Sequence, residues 1–84
     1  MYPQFNQNAP QWRNYGPIKV QWSMWHSKGN NYVAPSLNAK GTAFFIAVNC
    51  KEQRLNTTGP NNEWKGWFEP LESFEKLLYS DRCK

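Results

Sequence analysis

Ala43-Phe44-Phe45-Ile46-Ala47-Val48-Asn49-Cys50 is the longest apolar run in the chain, and its reading decides the fold. Successive side chains of a strand point to opposite faces. Here Ala43, Phe45 and Ala47 fall on one face and Phe44, Ile46 and Val48 on the other. A strand apolar on both faces is covered on both, so the run predicts a central strand with Phe45 and Ile46 equally buried. The run is too short for a buried helix, and it is rich in β-branched and aromatic residues.

Its neighbours extend the sheet. Ile18, Val20, Trp22 and Met24 alternate with Lys19, Gln21, Ser23 and Trp25, the pattern of a half-buried antiparallel strand. Tyr32 to Leu37 is a second strand, ended or bulged by Pro35, which cannot donate to a ladder. Asn38-Ala39-Lys40-Gly41 has the composition of a hairpin turn. Arg54 to Thr58 is a short strand around Leu55, and Gly59-Pro60-Asn61-Asn62 breaks it. Trp64 and Trp67 stand three apart around Gly66, which does not fit a period of two and reads as a loop. Pro70 suits a first helical position, and Leu71, Phe74, Leu77 and Leu78 then recur at helical spacing. The expected fold is α+β: an antiparallel sheet of about four strands with one C-terminal helix on a face. Residues 1–15, rich in Gln, Asn and Pro, read as a flexible lead-in to a single domain over residues 16–84.

Eighty-four residues make one small domain, and such a domain often needs a covalent or metal staple. Cys50 ends the core strand and Cys83 lies next to the chain end, so one disulfide between them is expected. The alternative is two buried thiols in a cytosolic protein. Two cysteines and one histidine with no close pair do not make a zinc shell, and no metal or cofactor is expected. No stretch approaches the roughly 20 apolar residues of a membrane helix. Residues 1–15 lack the apolar run of a signal peptide. The chain is then either cytosolic or a mature form whose leader has been removed; the disulfide favours an exported, periplasmic or lumenal setting.

No catalytic set stands out. His26 is the single histidine and reads as a solvated residue beside a turn; a thiol–imidazole pair with Cys50 is the alternative. Asn56-Thr57-Thr58 matches a glycosylation sequon, which matters only in a eukaryotic secretory chain. Charge is uneven. Residues 1–51 hold Arg13, Lys19, Lys28, Lys40 and Lys51 and no acid, whereas residues 52–84 hold five bases and six acids. A basic half suits an acidic partner, a phosphate backbone or an anionic surface. Five tryptophans are many for this length. Trp25 has the polar parity of its strand, opposite Trp22. With Trp64 and Trp67 it is expected to form an apolar patch rimmed by Lys65 and Lys19, and such a patch marks a binding site.

Several strings together carry a resemblance: Tyr15-Gly16-Pro17 through Trp22 and Trp25, Val33-Ala34-Pro35-Ser36-Leu37-Asn38, Ala47-Val48-Asn49-Cys50, Leu55-Asn56-Thr57-Thr58-Gly59, Trp64-Lys65-Gly66-Trp67, Phe74-Glu75 and Asp81-Arg82-Cys83. Over residues 15–83 the chain resembles a group of small cyanobacterial proteins with no established activity, which implies a cyanobacterial source. The order of elements is also loosely similar to bacterial surface-adhesin-type domains, a likeness of topology alone. Two functions are expected from these readings. The first is a monomeric, non-enzymatic module that binds a protein, a glycan or an envelope surface through exposed aromatics. The second is a nucleic-acid binder, with lysines on phosphate and Trp25 or Tyr32 stacked on bases.

Overall fold

The computed structural model describes residues 11–84; the expected mobility of residues 1–10 lies outside them. The class is α+β, as the periodicities predict, with six strands instead of four. They are β1 (Trp12–Tyr15), β2 (Ile18–Gln21), β3 (His26–Lys28), β4 (Asn31–Leu37), β5 (Ala43–Asn49) and β6 (Arg54–Thr57), followed by one helix, α1 (Ser73–Cys83). The sheet is antiparallel in the order β1-β2-β4-β5-β6, and β3 pairs with β4 beside β2. Part of the expected lead-in is therefore sheet, since Trp12 to Tyr15 pair with Gln21 to Ile18.

The alternating stretch from Ile18 is not one strand. Trp22–Met24 form a 3-10 turn between β2 and β3. From Val20↔Ser36 to His26↔Val33, β4 moves three residues while its partner moves six. Three inserted residues are an odd number, and an odd insertion reverses which parity faces which side. Before the turn, even-numbered Val20 faces the helix. After it, odd-numbered Trp25 does. Met24, expected on the core face, is thrown out to solvent.

Leu78 of α1 is fully buried against Tyr15, Val20, Ala34 and Ile46, with Ile18, Trp22, Trp25, Phe44 and Phe74 packed around them. Gly16, at φ +55°, turns β1 into β2 and lies so close under Phe74 that a Cβ there would meet the ring at 2.7 Å. The helix starts later than Pro70 suggests. Glu75 Oε1 accepts the backbone N–H groups of Leu71 and Glu72, both at 3.0 Å, so the chain enters the helix at Ser73. Leu71 then precedes the helix, and both Leu71 and Leu77 are exposed rather than core.

Polar and covalent ties hold the helix down. Cys50 and Cys83 are joined by a disulfide, and the Tyr79 hydroxyl donates to the Cys50 carbonyl at 2.8 Å. The Arg82 guanidinium lies 4.2 Å from the centre of the Tyr32 ring and 5.5 Å from that of Trp25. The buried Tyr15 hydroxyl donates to Asp81 Oδ2 at 2.7 Å, and Arg13 reaches the same carboxylate at 3.9 Å while covering the Trp22 ring.

The core strand is closed on one face and half open on the other. Ile46 and Val48 are buried under the helix side, whereas Phe45, expected to be covered, is 39% exposed because no helix lies over its face. We expect Ile46→Ala to cost about 2–5 kcal/mol in urea titrations and Phe45→Ala no more than about 1 kcal/mol. Equal losses would mean that both faces are closed.

The disulfide closes 33 residues, for which chain entropy gives about 3–4 kcal/mol. We expect the Cys50→Ser, Cys83→Ser double variant to lose that much stability, a large share of the total for a small domain. A change under about 1 kcal/mol would assign the anchoring to Leu78 and Tyr79 instead.

Burial, and then the Asp81 carboxylate, raise the Tyr15 pKa above its ordinary 10.0. The unfolded chain therefore loses this proton first. The contribution is intact below about pH 10 and disappears as the pH rises through the raised value. Urea titrations at alkaline pH should show Tyr15→Phe falling less steeply than the parent chain; parallel curves would remove Tyr15 from the alkaline transition.

Candidate functional site

The stretch expected to be a loop around Gly66 is an edge strand in all but length. Leu55 and Phe68 exchange backbone hydrogen bonds at 2.8 and 2.9 Å, and Lys65 N–H donates to the Thr57 carbonyl at 2.9 Å. Thr58 bridges to Trp64 and Leu55 to Phe68, so residues 64–68 advance four positions while β6 advances three. One residue is extra, which makes a bulge. Gly66 takes it up at φ +131°, a conformation that side chains rarely adopt, and its N–H donates to Asn56 Oδ1 at 2.9 Å. Residues three apart on a regular strand face opposite ways; the bulge brings Trp64 and Trp67 to the same side.

That side is the helix-free face of the sheet. Both indoles are 44% exposed. They wall a groove of about 280 Å³ with Val33 and Ala47 on its floor and Lys28, Asn31 and Asn56 around it. Val33 and Ala47 are nearly inaccessible although no helix covers them, so this strand and its indoles serve as their roof. Phe45 extends the apolar band: it exchanges hydrogen bonds with Thr58, which bridges to Trp64. Beyond Trp67 a shallower hollow is lined by Asn49, Glu52 and Arg54, and Arg54 pairs with Glu69 at 3.2 Å.

Asn56 is 4% exposed, and its Oδ1 accepts two backbone N–H groups, those of Thr57 and Gly66, each at 2.9 Å. The sequon asparagine is thus a structural pin of the bulge and not an open glycosylation acceptor. Asn31 Oδ1 is buried and accepts no hydrogen bond among the described residues. Among the described residues Lys28 is the only charged one lining the groove, and no carboxylate lines it.

The expected cluster is only partly assembled. Trp64 and Trp67 come together as proposed. Trp25 does not join them: the parity reversal puts it against the core, edge-on to Trp22 at 5.3 Å and beside Arg82. Lys65 alternates away from its tryptophan neighbours and lines a separate hollow with Phe44, Thr57 and Pro60. Lys19 pairs with Asn14 and Leu37 at the far end of the sheet and lines a hollow there with Gly16 and Pro17. Lys28, Asn31, Asn56 and Phe45 take their places, and of these only Phe45 was marked by its apolar neighbours. Cys50 is consumed in the disulfide, so it offers no thiol to His26. No cluster of three or more metal-ligating side chains occurs among the described residues, and no helix there is long and apolar enough to cross a membrane.

A family model described as "Domain of unknown function (DUF8654)" matches residues 14–83. The chain belongs to that family. The matched span runs from the second half of β1 to the second cysteine of the disulfide, so β2 to β6, the bulged Trp64–Trp67 segment and the helix all lie within it. No curated protein and no solved structure matches the chain.

Proposed function

We propose that the protein is a small non-enzymatic interaction module whose binding surface is the helix-free face of its sheet, centred on Trp64 and Trp67. The observation that carries this reading is the pair of half-exposed indoles on one face, held by a bulge that Asn56 pins. Rings kept in place by backbone geometry have little freedom to lose on binding, which makes them good anchors. The partner class is a protein, a glycan or an envelope surface. A disulfide goes with an oxidising compartment, so the partner belongs outside the cytosol. A nucleic-acid reading would have to use the same face, since Trp25 and Tyr32 already stack with Arg82.

Binding is measured by co-sedimentation with isolated bacterial cell envelopes. We expect Trp67→Ala to weaken it by about 2 kcal/mol, roughly thirtyfold, while the chain stays folded and loses about 1–2 kcal/mol of stability as the roof over Val33 and Ala47 thins. Trp25→Ala, in contrast, should cost roughly 2–4 kcal/mol of stability. If Trp67→Ala binds like the parent chain, or unfolds, the surface is not this one.

A further inference from the structure

Resting on that reading of the face, we propose that the Trp64–Trp67 groove binds an acidic saccharide. Sugar rings would lie against the indoles, with a carboxylate or sulfate of the chain on Lys28.

Four features of the groove point to this ligand. The first is its walls. One side of a pyranose ring presents C–H groups, an apolar patch that packs on a flat indole. Trp64 and Trp67 offer two such surfaces from one strand, and Phe45 continues the band beyond them. The second is hydrogen-bonding capacity. Both Asn56 Oδ1 bonds go to backbone N–H groups, which leaves its NH2 group unspent on a side chain that lines the groove but is only 4% exposed. Asn31 also lines the groove; its Oδ1 is buried and without a donor among the described residues, and it meets a ligand once the side chain turns outward. With that turn made, one donor and one acceptor match a pair of neighbouring hydroxyls, each of which can give and take a hydrogen bond.

The third feature is charge. Lys28 lines the groove with no carboxylate among the described lining residues, so it is the one formal charge a ligand there would meet. A neutral sugar would leave that charge unused; a uronate or sulfated sugar complements it. The fourth is size. At about 280 Å³ the groove falls just below the range of whole small-ligand sites, about 300–1,000 Å³, with room for a single sugar ring of a longer chain. It is open rather than enclosed and shares Trp67 with the next hollow, as a site on a longer polymer requires. Nucleic acid fits less well, because a phosphate at every step calls for a track of bases and the groove holds one.

The test is calorimetric titration of the full chain with short oligogalacturonate, oligoalginate and chondroitin sulfate. The methyl ester of the galacturonate, a neutral malto-oligosaccharide and oligothymidylate serve as comparisons. We expect at least one acidic saccharide to bind, and its neutral counterpart to bind about tenfold more weakly. Lys28→Gln should bring the acidic ligand down to the level of the neutral one and leave the neutral one unchanged. Trp67→Ala should abolish both. Trp67→Phe, which keeps a roof over Val33 and Ala47, should retain partial binding and a native near-ultraviolet spectrum. Binding of none of the acidic saccharides would overturn the inference, as would indifference to Lys28→Gln. Tighter binding of oligothymidylate with a steep salt dependence would also overturn it. If the saccharides fail while Trp67-dependent sedimentation with envelopes persists, the interaction module stands and its ligand is not a glycan of this class.

Discussion

Leu78 is the one helix side chain removed completely from water, and the rest of the structure depends on its seat against Val20, Ala34 and Ile46. A helix of 11 residues that buries a single leucine outright and leaves Leu77 exposed is held weakly by apolar area alone. The other ties are explained by that shortage. Cys83, Tyr79 and Arg82 fasten its last turns to Cys50 and Tyr32, while Asp81 is held by Tyr15 and Arg13 on β1. These ties join the helix to β1 at one edge of the sheet and to β4 and the end of β5 at its centre, and each uses a side chain that a larger core would not need.

One helix covers one face. The far face of a central apolar strand must then find cover elsewhere or stay open, and this sheet does both. Val33 and Ala47 are roofed by the Trp64–Trp67 segment, whereas Phe45 and the outer sides of the two indoles meet solvent. A tryptophan suits the task because a large ring shields small floor residues while its outer surface stays available.

The fold class was legible because it rests on long signals: a run of apolar residues on both parities, an alternating stretch, a helical repeat and two cysteines at the ends of elements. The Asn38–Gly41 turn was equally clear, and Asn38 Oδ1 does take the N–H groups of Lys40 and Thr42 at 2.9 Å. The misplacements share one cause. Parity arguments assume an uninterrupted strand, and here two short insertions reverse parity: three residues at Trp22–Met24 and one at Gly66. The first moves Trp25 from the binding face into the core, and the second moves Trp64 and Trp67 onto one face. Neither insertion has a strong local signature, because Trp22-Ser23-Met24 is not a breaker sequence and a glycine in a strand has several uses. The openness of Phe45 was invisible for a different reason. Burial of a strand face depends on what packs there, and a helix can be read from sequence more easily than the face it chooses.

The two insertions also divide the labour of the molecule. Trp25, turned inward, lies beside Trp22 and Arg82 and belongs to the anchoring of the helix. Trp64 and Trp67, turned outward by Gly66, belong to the opposite face. Between the two faces lies only the thickness of a sheet, yet the side chains that hold α1 and those that wall the groove are separate sets. Asn56 is where they come closest: its backbone sits in β6 between Leu55, which faces the core, and Thr57, while its side chain pins the bulge that aims the indoles. A change at Asn56 would release the bulge without touching the helix. A change at Leu78 or Cys83 would loosen the helix and leave the bulge its own hydrogen bonds to β6. Because stability and recognition are carried on opposite faces, the binding face can change its aromatic and polar residues while the anchored face keeps the fold.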